Sequence, residues 1–345
     1  MSEMQDREKW LDAQIDAAGQ LVQLGSNALR QGQTKRGEEA LAEAEAILDM
    51  AEIETNRLNK MRARVFNELG VVHQRRNDLE KSRHYHHEAA RICDALIEDG
   101  EDFAANSAAT NLNLSSIELA MGNTDEALAC GEKALDLLDQ LDGEERKGGS
   151  EPLELGARQN LAVIYARRED WERADEVMER ARQLADQLAD DGRPSFQAQL
   201  AQGCQQLSVI LFDNEHFESA LKWGRQAEEL SERAYEAMGR GVLPVYIISQ
   251  INLISYYEKL GQFADAEDCL WKALDVAGDD PRILERGVMF YETCRKQADA
   301  RLEAGNLPRE EVQQGLDDLM EKIDKVGGLD KVREAAKQVR QRARR

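Results

Sequence analysis

The sequence predicts an all-α chain assembled from about seven antiparallel helical hairpins stacked side by side. Three observations carry that expectation. Helix formers dominate a composition with 5 prolines and 5% aromatics in 345 residues, which raises helix above strand before any motif is sought. A fixed order of small and aromatic residues recurs along the chain. Breakers recur between them at matching intervals.

The recurring order is plainest from Asn160, in NLAVIYARREDWERADEVMERARQL: Leu161-Ala162, then Tyr165, Trp171, Ala174 and Ala181. A second copy has Leu253-Ile254, Tyr257, Gly261, Phe263, Ala266 and Ala273; a third has Leu207-Ser208, Leu211, Phe217, Ala220 and Ala227. Weaker copies begin at Leu114-Ser115, Leu69-Gly70 and Leu24-Gly25, and a degenerate seventh centres on Ala298, Gly305 and Leu307. The residue after Leu thus falls at 25, 70, 115, 162, 208, 254 and 298, at intervals of 44 to 47. Small residues at fixed points let two helices of a hairpin approach, and the aromatic fills the space beside the turn. Turn chemistry follows each first helix at Gly32, Asn77, Gly122, Glu169, Asn214 and Gly261. Longer breaks, such as 142–152, 190–195, 239–244 and 278–281, separate the hairpins. One hairpin cannot cover its own apolar stripe, so neighbours must stack and share a core.

These positions resemble the tetratricopeptide repeat over roughly residues 18–305. That family's period is about 34 residues, so the longer spacing here implies longer helices and loops. NLAVIYARREDWERA looks like the kinesin-light-chain branch, whose repeats are also long. The resemblance implies a right-handed superhelical solenoid with capping helices. Its repeat domain covers 1–326, with hairpins near 18–50, 60–98, 106–141, 154–189, 197–237, 245–277 and 284–324. Residues 1–17 are expected to add an N-terminal helix. After Gly327-Gly328, residues 327–345 are expected to form a basic C-terminal helix or tail. Residues 331–345 hold seven Lys/Arg against one acid, Glu334. That segment either caps the array with its charges in water or docks on an acidic surface of the body or of a partner.

The net charge of −22 argues against a nucleic-acid partner, because phosphate binding draws on clustered Lys and Arg. The 5 cysteines are dispersed and form no CxxC pair, as expected for reduced thiols. MSEMQDREKW lacks the basic start and apolar stretch of a signal peptide. The longest nearly apolar run, Val242 to Ile248, contains Pro244 and is too short to span a bilayer. A cytoplasmic protein with no membrane partner is expected. No phosphate loop, HExxH, GxSxG or dinucleotide fingerprint is found, so neither catalysis nor a cofactor is expected.

The expected function is to bind a peptide or protein segment. The resemblance implies that the first helix of each repeat lines the groove, and that the residue before the Leu-small pair faces the ligand. That position holds Gln23, Glu68, Asn113, Asn160, Gln206, Asn252 and Lys296. A row of amides, each donor and acceptor, can hydrogen-bond an extended backbone without reading its sequence. The same amides can equally bond neighbouring helices. Seven residues on, a second row reads Arg30, Arg75, Ala120, Arg167, Asp213, Lys259 and Glu303. Its cations suit a ligand carboxylate or salt bridges to adjacent helices. The candidate binding residues are therefore Asn113, Asn160, Gln206, Asn252, Arg75, Arg167 and Lys259. The Lys/Asn combination of the family's carboxylate clamp is absent. Four histidines, His73, His84, His86 and His87, crowd into one repeat. His84 and His87 could share a metal, but His73 and His86 stand where the family packs aromatics, so no metal is expected. A self-assembling scaffold subunit and a peptide-sensing receptor are the alternatives.

Overall fold

The computed structural model describes residues 2–51, 53–141 and 150–343, and for residues 2–6, 342 and 343 the backbone alone. Most of the expected break at 142–152, and Arg344 and Arg345 of the basic tail, lie outside the described residues. Every regular element among the described residues is helical. The chain divides into two compact units, Met1–Ala181 and Arg182–Arg345.

The first unit contains α1 (Ser2–Arg30), α2 (Thr34–Asp49), α3 (Asn56–Arg75), α4 (Leu79–Glu98), α5 (Ala104–Met121), α6 (Thr124–Asp139) and α7 (Glu151–Arg167). Helix α8 (Trp171–Asp190) carries residues of both units. The separate helix expected over 1–17 is instead the first half of α1. No proline interrupts it, Gly19 and Gly25 are accommodated within the helix, and Leu11, Ile15, Ala18 and Val22 form one buried stripe at helical spacing. That stripe packs into a core with Leu41, Leu48, Leu58 and Leu69 from the next two hairpin helices and their neighbours.

The second unit contains α9 (Ser195–Asp213), α10 (Phe217–Met238), a 3-10 turn (Gly239–Val242), α11 (Leu243–Leu260), α12 (Phe263–Ala277), α13 (Pro281–Arg295), α14 (Asp299–Ala304), α15 (Arg309–Lys325) and α16 (Leu329–Ala343). Phe217–Leu260 is long and apolar enough to cross a membrane by length and composition. It is folded back on itself as α10 and α11, with Gly224 facing Leu253 and Tyr256. Ser231 Oγ donates to Ser249 Oγ at 3.4 Å across the same pair. Trp223, Tyr246, Phe263, Phe290 and Tyr291 are fully buried.

The repeat is written most regularly in the turns. One residue in each hairpin turn is left-handed: Gly32, Asn77, Gly122, Glu169, Glu215, Gly261 and Asn306, with φ between 57° and 88°. The next amide reaches back five residues to the end of the first helix in every case. Gln33 donates to Ala28 O, Asp78 to His73 O, Asn123 to Glu118 O, Asp170 to Tyr165 O, His216 to Leu211 O, Gln262 to Tyr257 O and Leu307 to Leu302 O, at 2.8–3.0 Å. This is the Schellman closure, which satisfies carbonyls the helix end would otherwise orphan.

The seventh copy keeps the turn but breaks its first helix. Ala298 is extended (ψ 148°) between α13 and α14, so the small residue expected inside a helix stands at an interruption, and Lys296 is the C-cap of α13. Ala298 lies one residue further from its left-handed turn residue than the small residue of every other copy. Arg309 bridges the gap, donating to Arg295 O at 3.1 Å and Gln297 O at 2.6 Å.

Small residues do sit where helices meet closely. A Cβ on Gly70 would lie 2.5–2.8 Å from the His86 ring, and Ser82 Oγ donates to Gly70 O at 2.8 Å beside it. In the next hairpin Ser115 Oγ donates to Ala127 O at 2.8 Å, the same twelve-residue reach.

Candidate functional site

Hydrogen bonds between neighbouring hairpins join residues about one repeat apart. In the first unit they engage the two rows singled out above. Asn113 Nδ2 on α5 donates to Asn67 Oδ1 on α3 at 3.0 Å. Asn160 Nδ2 on α7 donates to Ser116 Oγ on α5 at 2.6 Å. Arg75 donates to Leu29 O at 2.5 Å, and Arg167 to Leu119 O at 3.2 Å, each reaching the last turn of the preceding first helix. Each of these carbonyls already accepts a turn amide, Leu29 O from Gly32 at 3.1 Å and Leu119 O from Gly122 at 3.2 Å, so the guanidinium adds a second bond at the carbonyl end of the helix, where a cation opposes the macrodipole. These four side chains therefore tie first helix to first helix.

In the second unit the same rows are not spent in this way. Gln206 is exposed and Asn252 half-buried, and neither has a side-chain hydrogen bond among the described residues. Lys259 lies over the Phe217 ring at 5.5 Å. The neighbour Gln205 does the structural work, with its Nε2 donating to Val245 O and Ser249 Oγ, both at 2.7 Å. Gln250 Nε2 donates to Glu228 Oε1 at 2.9 Å, and Lys272 Nζ reaches Glu228 and Glu232 at 3.0 and 3.1 Å. Desolvation would lower the Lys272 pKa, but the two carboxylates outweigh it and hold it above its usual value. This network fixes α11 against α9, α10 and α12.

So fixed, α11 presents more apolar surface than its core can take. Its inner face buries Tyr246, Ile247, Leu253 and Ile254, yet Ile248 remains 42% exposed. Ile248 and Ile251 form one wall of a groove of about 360 Å³, and Met289 of α13 and Val339 of α16 contribute the rest of its apolar lining. Met289 is 54% exposed. Arg282, Arg286 and Arg340 stand at its rim with Glu285. Arg282 is held by Asp280 at 2.9 Å, Arg286 by Glu258 at 2.6 Å and Arg340 by Glu285 at 2.6 Å. The first two guanidiniums are mostly buried, whereas the Arg340 side chain is 52% exposed. Its hydrogen bond to Glu285 raises the Arg340 pKa.

None of the seven residues singled out in the sequence lines this groove. The signal for it was present: Tyr246 to Tyr257 carries apolar residues on every face of α11, and a helix of a two-layer array buries only part of its circumference. Met289 and Val339 carry no such mark, because α13 belongs to the broken repeat and α16 stands outside the repeat pattern.

The histidines point apart. His73 stacks on Tyr85 at 5.4 Å, and His84 tilts against the same ring at 5.6 Å. His86 is fully buried with Nδ1 3.2 Å from Asn67 Oδ1, and burial pushes its pKa down to about 4, with His87 adding to the effect. His87 Nε2 instead lies 3.3 Å from Glu118 Oε1. Among the described residues no three His, Cys, Asp or Glu side chains are grouped to hold a metal.

Hairpins closed by one repeated turn and cross-linked at the repeat spacing define an all-α, tetratricopeptide-like repeat protein. The comparisons agree. A tetratricopeptide-repeat family profile matches residues 61–140 and 106–187, and a family of unknown function (DUF6483) matches residues 163–324. Comparison with curated protein sequences found no match. Among solved structures, the chain is similar to the apo form of RapI, with TM-score 0.51 and 15% identity over 89% of this chain and 99% of that one. It is also similar to the apo form of the quorum sensor NprR from B. thuringiensis, with TM-score 0.54 and 12% identity over 99% and 98%. A signal-transduction ATPase with a tetratricopeptide repeat sensor from Pyrococcus horikoshii gives TM-score 0.58 at 12% identity, and there this chain spans 92% of itself but 46% of the other. At such identities the likeness is one of fold.

Proposed function

We propose that this protein is a non-catalytic interaction module that binds a peptide segment of another molecule in the groove between α11, α13 and α16. The observation that carries the reading is the exposure of Ile248 and Met289, two large apolar side chains facing one recess. Leaving both in water is unfavourable by about 25 cal/mol per Å² of apolar surface, which an entering apolar side chain would recover. Asn252 and Gln206, whose amides have no hydrogen-bond partner among the described residues, supply donor and acceptor groups along the same row of first helices for the ligand backbone. Asn113, Asn160, Arg75 and Arg167 contribute to the array's cohesion under this reading, and to binding only indirectly.

The test is capture of partners by the immobilised chain and by its Ile248→Asp/Met289→Asp variant, with Asn113→Ala as a control. A partner retained by wild type and control but lost by the groove variant supports the reading. Equal retention by all three overturns it. A second reading, that the bound segment is a signalling peptide, is supported by the likeness to the quorum sensor NprR. Binding of short free peptides, as opposed to segments within folded proteins, separates the two.

A further inference from the structure

The groove continues onto a charged stripe of which the fold uses one member, Arg340. Helix α16 buries Val332 and Ala336 and half-buries Val339, so its apolar side is spent on the body of the second unit. Beside that side run Arg333, Lys337 and Arg340, at i, i+4 and i+7, all exposed. This spacing puts the three on one face of the helix. Arg340 is at the groove and paired with Glu285. Among the described residues, Arg333 and Lys337 have no acidic partner, in a chain whose net charge is −22. Nor does helix stability account for Arg333 and Lys337. Arg333 lies in the first turns of α16, where the macrodipole favours acids over cations, and unpaired like charges a turn apart repel.

We propose that the ligand is an acidic peptide: an apolar side chain enters the recess between Ile248, Ile251 and Met289, and carboxylates flanking it run along Arg333, Lys337 and Arg340. This rests on the groove being the binding site. The stripe is about 10 Å long, at about 1.5 Å per helical residue, which matches about three residues of extended peptide. Two or more Asp or Glu within about four residues of the apolar anchor are therefore required, and a lone terminal carboxylate does not suffice. A lipid surface fits less well, because the apolar side of α16 is already buried and only its charges could meet headgroups. Charge attraction of this kind steers encounter and discriminates against basic and neutral segments.

The experiment is selection of random dodecapeptides displayed on phage against the full chain, followed by binding of the enriched peptides, made with a fluorescent label, at low and high salt. The expected result is enrichment of Leu, Ile, Met or Phe followed or preceded by clustered Asp/Glu, with affinity that falls as salt rises. Arg333→Gln/Lys337→Gln/Arg340→Gln weakens binding by about tenfold, three partly solvated pairs at a few tenths to one kcal/mol each. Arg333→Gln/Lys337→Gln, which breaks no ion pair among the described residues, weakens it by about fivefold on the same scale, with the helical circular dichroism unchanged. Enriched peptides that are neutral or basic, yet lose binding in Ile248→Asp, leave the groove standing and overturn the acidic ligand. No enrichment at all overturns the groove itself. Binding to phosphatidylserine vesicles that the double variant abolishes, or a dimer that it dissociates, gives the stripe to a membrane or to a second copy and overturns the proposal.

Discussion

Asn113 donates to Asn67 across 46 residues, the same separation that places Arg75 against Leu29 O. A repeat period read from the spacing of small residues thus reappears as the sequence distance between hydrogen-bonded partners. Asn67 Oδ1 is shared with His86 Nδ1 at 3.2 Å, so one carbonyl oxygen connects α3, α4 and α5. Removing Asn113 leaves it with a partner, whereas removing Asn67 orphans two. Asn67→Ala is expected to cost about 1–3 kcal/mol and Asn113→Ala about 1 kcal/mol, read from urea midpoints, with neither changing the affinity of a groove ligand. Asn252→Ala is expected to do the reverse, weakening binding with the midpoint held.

Burial of His86 sets a pH dependence whose sign is definite. Its folded pKa is lowered to about 4 from 6.5, so above pH 6.5 both states are neutral and the group contributes no slope. Below it the unfolded chain takes up a proton that the folded chain refuses, and stability falls until the pH reaches about 4. The loss across that window is about 3 kcal/mol at about 1.4 kcal/mol per unit. His73, lowered chiefly by burial, acts in the same direction. Urea midpoints measured between pH 7 and 4.5 should decline, and His86→Phe should remove most of the decline. An unchanged slope in that variant would assign the acid sensitivity elsewhere.

Gly70 sits where its neighbour leaves no room. The His86 ring is closed in by the hairpin, so Gly70→Ala is expected to force the ring or the helix to move, at about 1–3 kcal/mol. Thermal unfolding compared with Gly32→Ala separates two mechanisms. Gly32 meets nothing within 4 Å but has φ 75°, so its cost is backbone strain alone.

Glu215 holds the left-handed place that Gly261 holds one repeat later, with φ 65°. Glu215→Gly is expected to stabilise the chain by about 0.5–1 kcal/mol, because relief of a strain of about 1–2 kcal/mol exceeds the added freedom of the unfolded chain. The melting temperature should rise. The same change at an exposed position inside α10, such as Glu229, should lower it.

The hairpins were legible because close helix approach demands small residues at fixed register, and because a Schellman turn selects Gly or Asn at most of its left-handed positions. The broken α13–α14 helix was not, since Ala298 satisfies the small-residue pattern equally well in a helix or at an interruption. The amide row was legible as a row, but sequence alone could not say that Asn113 and Asn160 reach the neighbouring helix while Gln206 and Asn252 make no side-chain hydrogen bond among the described residues. That difference depends on what stands opposite: Asn67 and Ser116 in the first unit, and no such partner among the described residues of the second. The groove is not legible in the repeat pattern because Val339 and Arg340 come from a helix outside the repeat, brought beside Met289 by the packing of Val332 and Ala336.

Hydrogen–deuterium exchange of the full chain with and without a selected peptide locates the binding site. A ligand in the groove gives new protection in residues 243–260, 281–295 and 329–343, with 104–121 and 151–167 unchanged. Protection confined to the first helices of the first unit, with α16 unaltered, would contradict that placement.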